Sequence, residues 1–197
     1  MTNICSSYQQ SVDNFTEEMK NKYIPPDHFD RILRASFKED RALWILSSET
    51  GFRIDDILHI RQWQVPSESA CRHGGQFSLT IREQKTGNVR TVALSERAQR
   101  SLAEIWLHQP KRHKLAYLFP TRRQERCNNL HRSTVTRHFA EAVRKAGLEG
   151  EGYTVHSLRK IYARNRYACT KSMLDVQRDL GHKSLATTLL YLNDLEL

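Results

Sequence analysis

At 197 residues the chain can bury one sizeable hydrophobic core, and its four cysteines, Cys5, Cys71, Cys127 and Cys169, form no CxxC pair, which argues against a disulfide framework and for a reducing, cytoplasmic home. Its apolar runs fall short of the roughly 20 residues a membrane helix needs, and the opening "MTNICSSYQQ" lacks the layout of a signal peptide. Lys and Arg number 31 against 22 Asp and Glu, a formal net charge of +9, which favours a polyanionic partner and nucleic acid above others.

Residues 1–23 are polar and aperiodic and are expected to be a disordered leader or linker remnant, with one folded domain over 24–197. Order should begin at "IPPDHFDRILRAS", where Pro25 and Pro26 suit a helix start and Phe29, Ile32 and Leu33 share a face. A second helix from about Lys38 turns Ala42, Leu43 and Ile45 inward and ends at Gly51, and a third follows in "RIDDILHI". Phe77, Leu79 and Ile81 alternate with polar residues, "KTGN" turns the chain and "VRTVAL" returns, a hairpin with Lys85 at its tip.

Ser95 is placed to cap the next helix, in which Ala98, Leu102 and Ile105 recur at helical spacing, and "YLFP" is a short strand or buried turn. "STVTRHFAEAVRKAGL" reads as a helix with Ser133 near its start and Gly147 just past its end. "VHSLRKIYARNRYA" and "SMLDVQRDLGH" follow as helices, the latter stopped by Gly181, and a last helix capped by Ser184 carries Tyr191. The fold class is therefore mainly α with a small antiparallel β-sheet, α+β. Trp44, Trp63 and Trp106 read as core or partly buried anchors.

Four short stretches combine reactive side chains with constrained geometry. In "TGFRIDDIL", Arg53 and Asp56 lie one helical turn apart, which taken alone is a surface pair worth little. Lys85 in "EQKTGNV" is, taken alone, a solubilising turn residue. In "TVHSLRKIY", His156 and Arg159 project from one helix face near its N-terminus, where an anion is favoured, although a capping His beside a solvated Arg explains the same pattern. In "LGHKSLATTLLY", His182 precedes Tyr191 by nine residues.

Together these residues meet the demands of a phosphodiester transfer without metal. Two arginines, Arg53 and Arg159, would hold the non-bridging oxygens, because a planar fork bonds both and keeps its charge. Lys85 would protonate the departing 5′ oxygen. Tyr191 would be the nucleophile; a free phenol with a pKa near 10 is about one part in a thousand ionised at neutral pH, so it needs His156 as base and the arginines' field. His182 would donate a hydrogen bond to a phosphate oxygen. A tyrosyl ester conserves the bond energy, so no cofactor is expected. The pairs Cys71/His73 and Cys127/His131 lack consistent ligand spacing, and no metal site is expected.

The ordered set Arg53, Lys85, His156 with Arg159, His182 and Tyr191 resembles the catalytic domain of the tyrosine recombinases, the phage integrase family, over about residues 25–191. "TGFRIDDIL" resembles its Thr-Gly-Leu-Arg-Ile-x-Glu box, "HSLRK" its His-x-Leu-Arg box, and "LGHKSLATTLLY" its Leu-Gly-His box with the following Tyr. The resemblance implies site-specific cleavage and rejoining of duplex DNA through a 3′-phosphotyrosyl link and a Holliday junction. It also implies that Asp56 braces the active-site arginine and that the protein works on DNA as a dimer to tetramer, with a monomer possible without DNA. Family members usually carry a DNA-clamping domain before the catalytic one, whereas only the polar leader stands here; the short tail "LNDLEL" puts helix exchange between protomers in doubt, and Lys160 stands where the family often has a second His.

Arg132, Thr134 and Arg137, with Lys160, are further DNA-contact candidates, set against the plainer reading of a solvated basic face. Two other functions compete: a catalytically silent DNA-binding regulator on the same fold, for which Lys85 and Tyr191 would have no use, and a relaxing topoisomerase of the type IB kind, which usually has Lys or Arg at the His156 position.

Overall fold

The computed structural model describes residues 22–108, 116–121 and 128–192. Most of the expected leader, Cys127 and its neighbouring arginines, and the tail after Leu192 lie outside the described residues.

Helix α1, Pro26–Ala35, begins with a proline whose missing N–H costs nothing in a first turn, and buries Phe29, Ile32 and Leu33. Helix α2, Lys38–Thr50, is buried on nearly every face because it is the central element: α5 (Glu96–His108) and α7 (Val155–Thr170) both pack on it. Trp44 on α2 meets Phe139 edge to face at 5.0 Å and donates its indole N–H to Ser36 Oγ at 3.0 Å, so its one polar atom is satisfied inside the core. Phe139 belongs to α6, Arg132–Lys145, which also covers α1.

Gly51 closes α2 at φ 67 because a Cβ there would come within 2.5 Å of the Tyr162 ring. That close approach sends the chain directly from α2 into Phe52 and Arg53 and then the short helix α3, Ile54–Leu58. A 3₁₀ turn, Gln62–Gln64, and a helix that sequence periodicity did not reveal, α4, Glu68–His73, lead to the sheet. Strands β1, Ser78–Arg82, and β2, Val89–Ala93, pair antiparallel with Ser78 opposite Ala93 and Arg82 opposite Val89. Leu79 and Ile81 point into the core, while Phe77 precedes the strand and packs at the core's edge.

The "YLFP" segment is a buried turn held by isolated bridges between Arg61 and Tyr117 and between Pro120 and Asn129. Ser95, Ser172 and Ser184 each accept a backbone N–H at a helix start, from Ala98, Asp175 and Ala186. At α6 the cap is the His131 side chain, which accepts from the amide of Ser133 in the first turn. Trp44 is buried and Trp106 partly buried, but Trp63 is 62% exposed, because the 3₁₀ turn points it outward and buries Gln62 in its place.

Helix α8, Met173–Leu180, and helix α9, Leu185–Leu192, pack on each other and on α7. They enclose a separate small core of Ala163, Val176, Leu180, Tyr191 and Leu192, distinct from the main one. Gly181, at φ 62, makes the turn between them.

Candidate active site

Arg53 enters the site from the start of α3, and its neighbour Asp56, 1% exposed, does not touch its guanidinium. Asp56 Oδ2 accepts from the Arg53 backbone N–H at 3.3 Å and Oδ1 accepts from the Gln84 N–H at 2.8 Å. Asp56 therefore fixes the backbone at Arg53 and at the residue before Lys85, joining helix to hairpin. The guanidinium is held instead by Glu83, whose Oε2 accepts from Arg53 Nη1 at 3.0 Å. Asp56 thus meets the arginine through its backbone N–H, and Glu83 meets its guanidinium.

Arg159 stands in the second turn of α7 and is 3% exposed. Its Nη2 donates to the Leu180 carbonyl at 2.8 Å, across the end of α8, while Nη1 is buried with no hydrogen-bond partner among the described residues. Burial lowers its pKa to about 10, with Tyr191 and Glu83 opposing and Arg53 and Arg90 reinforcing the shift, so it stays charged at neutral pH. A buried, charged donor left unpaired costs several kcal/mol unless an anion reaches it.

His182 follows the Gly181 turn, and its Nδ1 lies 3.0 Å from Thr188 Oγ1. Burial first, then the positive charge of Arg159 and Arg53, lowers its pKa to about 3. The ring is therefore neutral at physiological pH. Because the unfolded His ionises near its ordinary value of about 6.5, the unfolded chain binds the extra proton between that pH and about 3, and folding stability must fall as pH falls through this window. The expected slope is at most about 1.4 kcal/mol per pH unit. Thermal or urea unfolding at pH 7 and pH 5 checks it: His182→Asn should flatten the slope, and an unchanged slope would assign the acid sensitivity elsewhere.

Tyr191, in the last turn of α9, is 3% exposed, with its ring 4.8 Å from that of His182. Lys160, also buried, has its ammonium 5.9 Å from the Tyr191 ring centroid. Lys160 therefore lies beside Tyr191 and off any exposed basic face. Thr134 is half-buried and Arg137 exposed on α6.

His156 sits at the N-terminus of α7, where its amide is capped by Thr154 Oγ1. Its Nε2 lies 3.1 Å from Arg132 Nη2, and Arg132 Nη1 is 3.1 Å from Asp55 Oδ2. A guanidinium only donates, so Nε2 accepts here. Lys85 is exposed at the hairpin tip. The structure thus gathers Arg53, Arg159, His182 and Tyr191, engages His156 with Arg132 at the start of α7, and leaves Lys85 in solvent.

Two residues that the sequence reading passed over join the cluster. Glu83 is 3% exposed; Arg90 stacks over the Phe52 ring at 4.1 Å and donates to the Thr50 carbonyl at 2.6 Å, with Nε and Nη1 buried and without hydrogen bonds among the described residues. Burial lowers the Arg90 pKa. Glu83 follows β1 in the inward register of Leu79 and Ile81, but nothing local in the sequence gives its partners, and Arg90 in β2 carries no signal of its own. Among the described residues no group of three or more His, Cys, Asp or Glu could hold a metal ion, and burial pushes the Cys71 thiol up to about 11, leaving it inert. No helix of the described residues is long and apolar enough to cross a membrane.

Comparison with known proteins bears on this arrangement. Tyrosine recombinase XerA of Pyrococcus furiosus is 30% identical over 179 residues, which is 90% of this chain and 56% of that protein, so the chain spans little more than half the length of this relative. The crystal structure of XerA recombinase superposes with a TM-score of 0.70 at 22% identity, covering 89% of this chain and 61% of that one. A lambda integrase tetramer bound to a Holliday junction gives a TM-score of 0.62 at 22% identity, covering 87% and 48%. The model of the phage integrase family matches residues 22–196, nearly all of the described fold, and the chain belongs to that family.

Proposed function

We propose that this chain cleaves and rejoins duplex DNA at specific sites, acting as a tyrosine-type recombinase. The observation that carries the reading is the buried Nη1 of Arg159, a charged donor without a partner among the described residues, in one cluster with Tyr191, His182 and Arg53. A phosphodiester oxygen supplies the missing acceptor. The net charge of +9 supports a DNA partner, and the DNA-bound tetramer of a protein sharing the fold supports assembly of several copies on it.

In this reading the Tyr191 oxygen bonds to phosphorus as the bond to the 5′ oxygen breaks. Arg159 and Arg53 take the non-bridging oxygens, and neutral His182 adds a hydrogen bond as negative charge grows. The phenol proton passes to His156 Nε2 once Arg132 leaves it for the DNA backbone. Lys85, free to move on its hairpin, gives a proton to the 5′ oxygen. A 5′ hydroxyl of a partner strand reverses the step, so phosphodiester bonds are conserved.

The test is a suicide duplex, nicked beside a candidate attachment site so that the short 5′-hydroxyl fragment escapes, incubated without metal and run on a denaturing gel. A covalent protein–DNA band supports the reading, and joined products from two sites separate it from a relaxing topoisomerase. Binding without any covalent band would favour the silent regulator.

A further inference from the structure

We infer that Glu83 is a positioning residue for the phosphate-binding arginine Arg53, tying the Lys85 hairpin to the Gly181–His182 turn; this rests on the strand-transfer reading above. A carboxylate is out of place in a pocket built for a phosphate, since it repels the substrate and costs several kcal/mol to bury unless well paired. Here it is 3% exposed and its oxygens are engaged on several sides. Oε2 accepts from Arg53 Nη1 at 3.0 Å and from Thr86 Oγ1 at 2.8 Å, and Oε1 stands 4.0 Å from Arg90 Nε.

The same residue builds the turn that carries Lys85. Its N–H donates to the Asn88 carbonyl and its own carbonyl accepts from the Gly87 N–H, both at 2.8 Å. On the other side, a Cβ at Gly181 would lie 3.3 Å from Glu83 Oε2, so the carboxylate rests against the turn that presents His182.

The consequence for Arg53 is orientation. A guanidinium has five N–H donors in one plane, and holding Nη1 on Glu83 biases the direction of the others. Arg159, buried, and Arg90, partly buried and 4.0 Å from Glu83 Oε1, offset the added negative charge. The arginine thus arrives at the phosphate already aligned, instead of losing side-chain freedom at that moment.

Two measurements on the full chain decide this. In the ¹⁵N spectrum of the free protein, the Arg53 guanidinium, identified by its loss in Arg53→Lys, should give resolved, slowly rotating signals that collapse in Glu83→Gln. On the suicide duplex, Glu83→Gln should bind DNA within about threefold of wild type but cleave roughly 30-fold to 300-fold more slowly. With a methylphosphonate at the scissile position, which carries one negative charge fewer, the deficit should shrink to about threefold or less, as it should for Arg53→Ala. A deficit equal on both duplexes, or Arg53 signals unchanged in Glu83→Gln, overturns the inference. A wild-type chain that binds DNA without cleaving it sinks the strand-transfer reading instead, and the Arg53 spectrum then decides on Glu83 by itself.

Discussion

Tyr191→Phe should abolish the covalent protein–DNA band while leaving DNA affinity within about twofold of wild type. The substitution removes one oxygen from a ring that is 3% exposed and packed against Val176, Leu180 and Leu192, so the apolar contacts that hold α9 persist. On the proposed mechanism the atom lost is the one that bonds to phosphorus, and removing a nucleophile that acts together with its partners typically costs on the order of 10⁵-fold or more in rate. The measurement is a time course on the suicide duplex, with a gel-shift control for binding. A band that survives in the variant would place the nucleophile elsewhere and remove the central role from α9.

Arg159→Lys should be nearly as damaging, and for two separable reasons. The lysine keeps the charge but loses the planar fork, so it cannot bond both the Leu180 carbonyl and a phosphate oxygen in the geometry that Nη2 and Nη1 now define. Cleavage should fall about 100-fold to 1,000-fold, the scale of removing one fixed donor to a developing charge. The Leu180 carbonyl at the end of α8 also loses its donor, at about 1–3 kcal/mol of stability. The urea midpoint reads the second effect and the single-turnover cleavage rate at saturating DNA reads the first. Wild-type cleavage by a destabilised variant would show that Arg159 is structural only.

The ordered helices were legible because each has a local signal: the proline start of α1, Gly51 and Gly181 at helix ends, and serine caps before α5, α8 and α9. Helix α4 was not, since it has six residues and buries only Cys71, too little for a period to show. Trp63 misled for a related reason. Ring size suggests burial, but the 3₁₀ turn decides which residue faces the core, and it chose Gln62. At the site, residue types and order singled out Arg53, Arg159, His182 and Tyr191, which the fold gathers. Glu83 was invisible because its meaning comes from Arg53, 30 positions earlier, and from Gly181, far later in the chain. The engagement of His156 by Arg132 was equally non-local.

The separate small core around Tyr191 has a thermodynamic consequence. Elements held by a minor cluster open at lower free energy than those anchored in a main one, so the chain is expected to contain two cooperative units in place of one. Backbone amides of α8 and α9 should then exchange with solvent more readily than those of α2. Tyr191 rides on the looser unit and Arg159 spans the boundary, anchored in α7 and bonded to Leu180. Fluctuations that uncover Tyr191 can therefore occur while the main core around α2 stays folded.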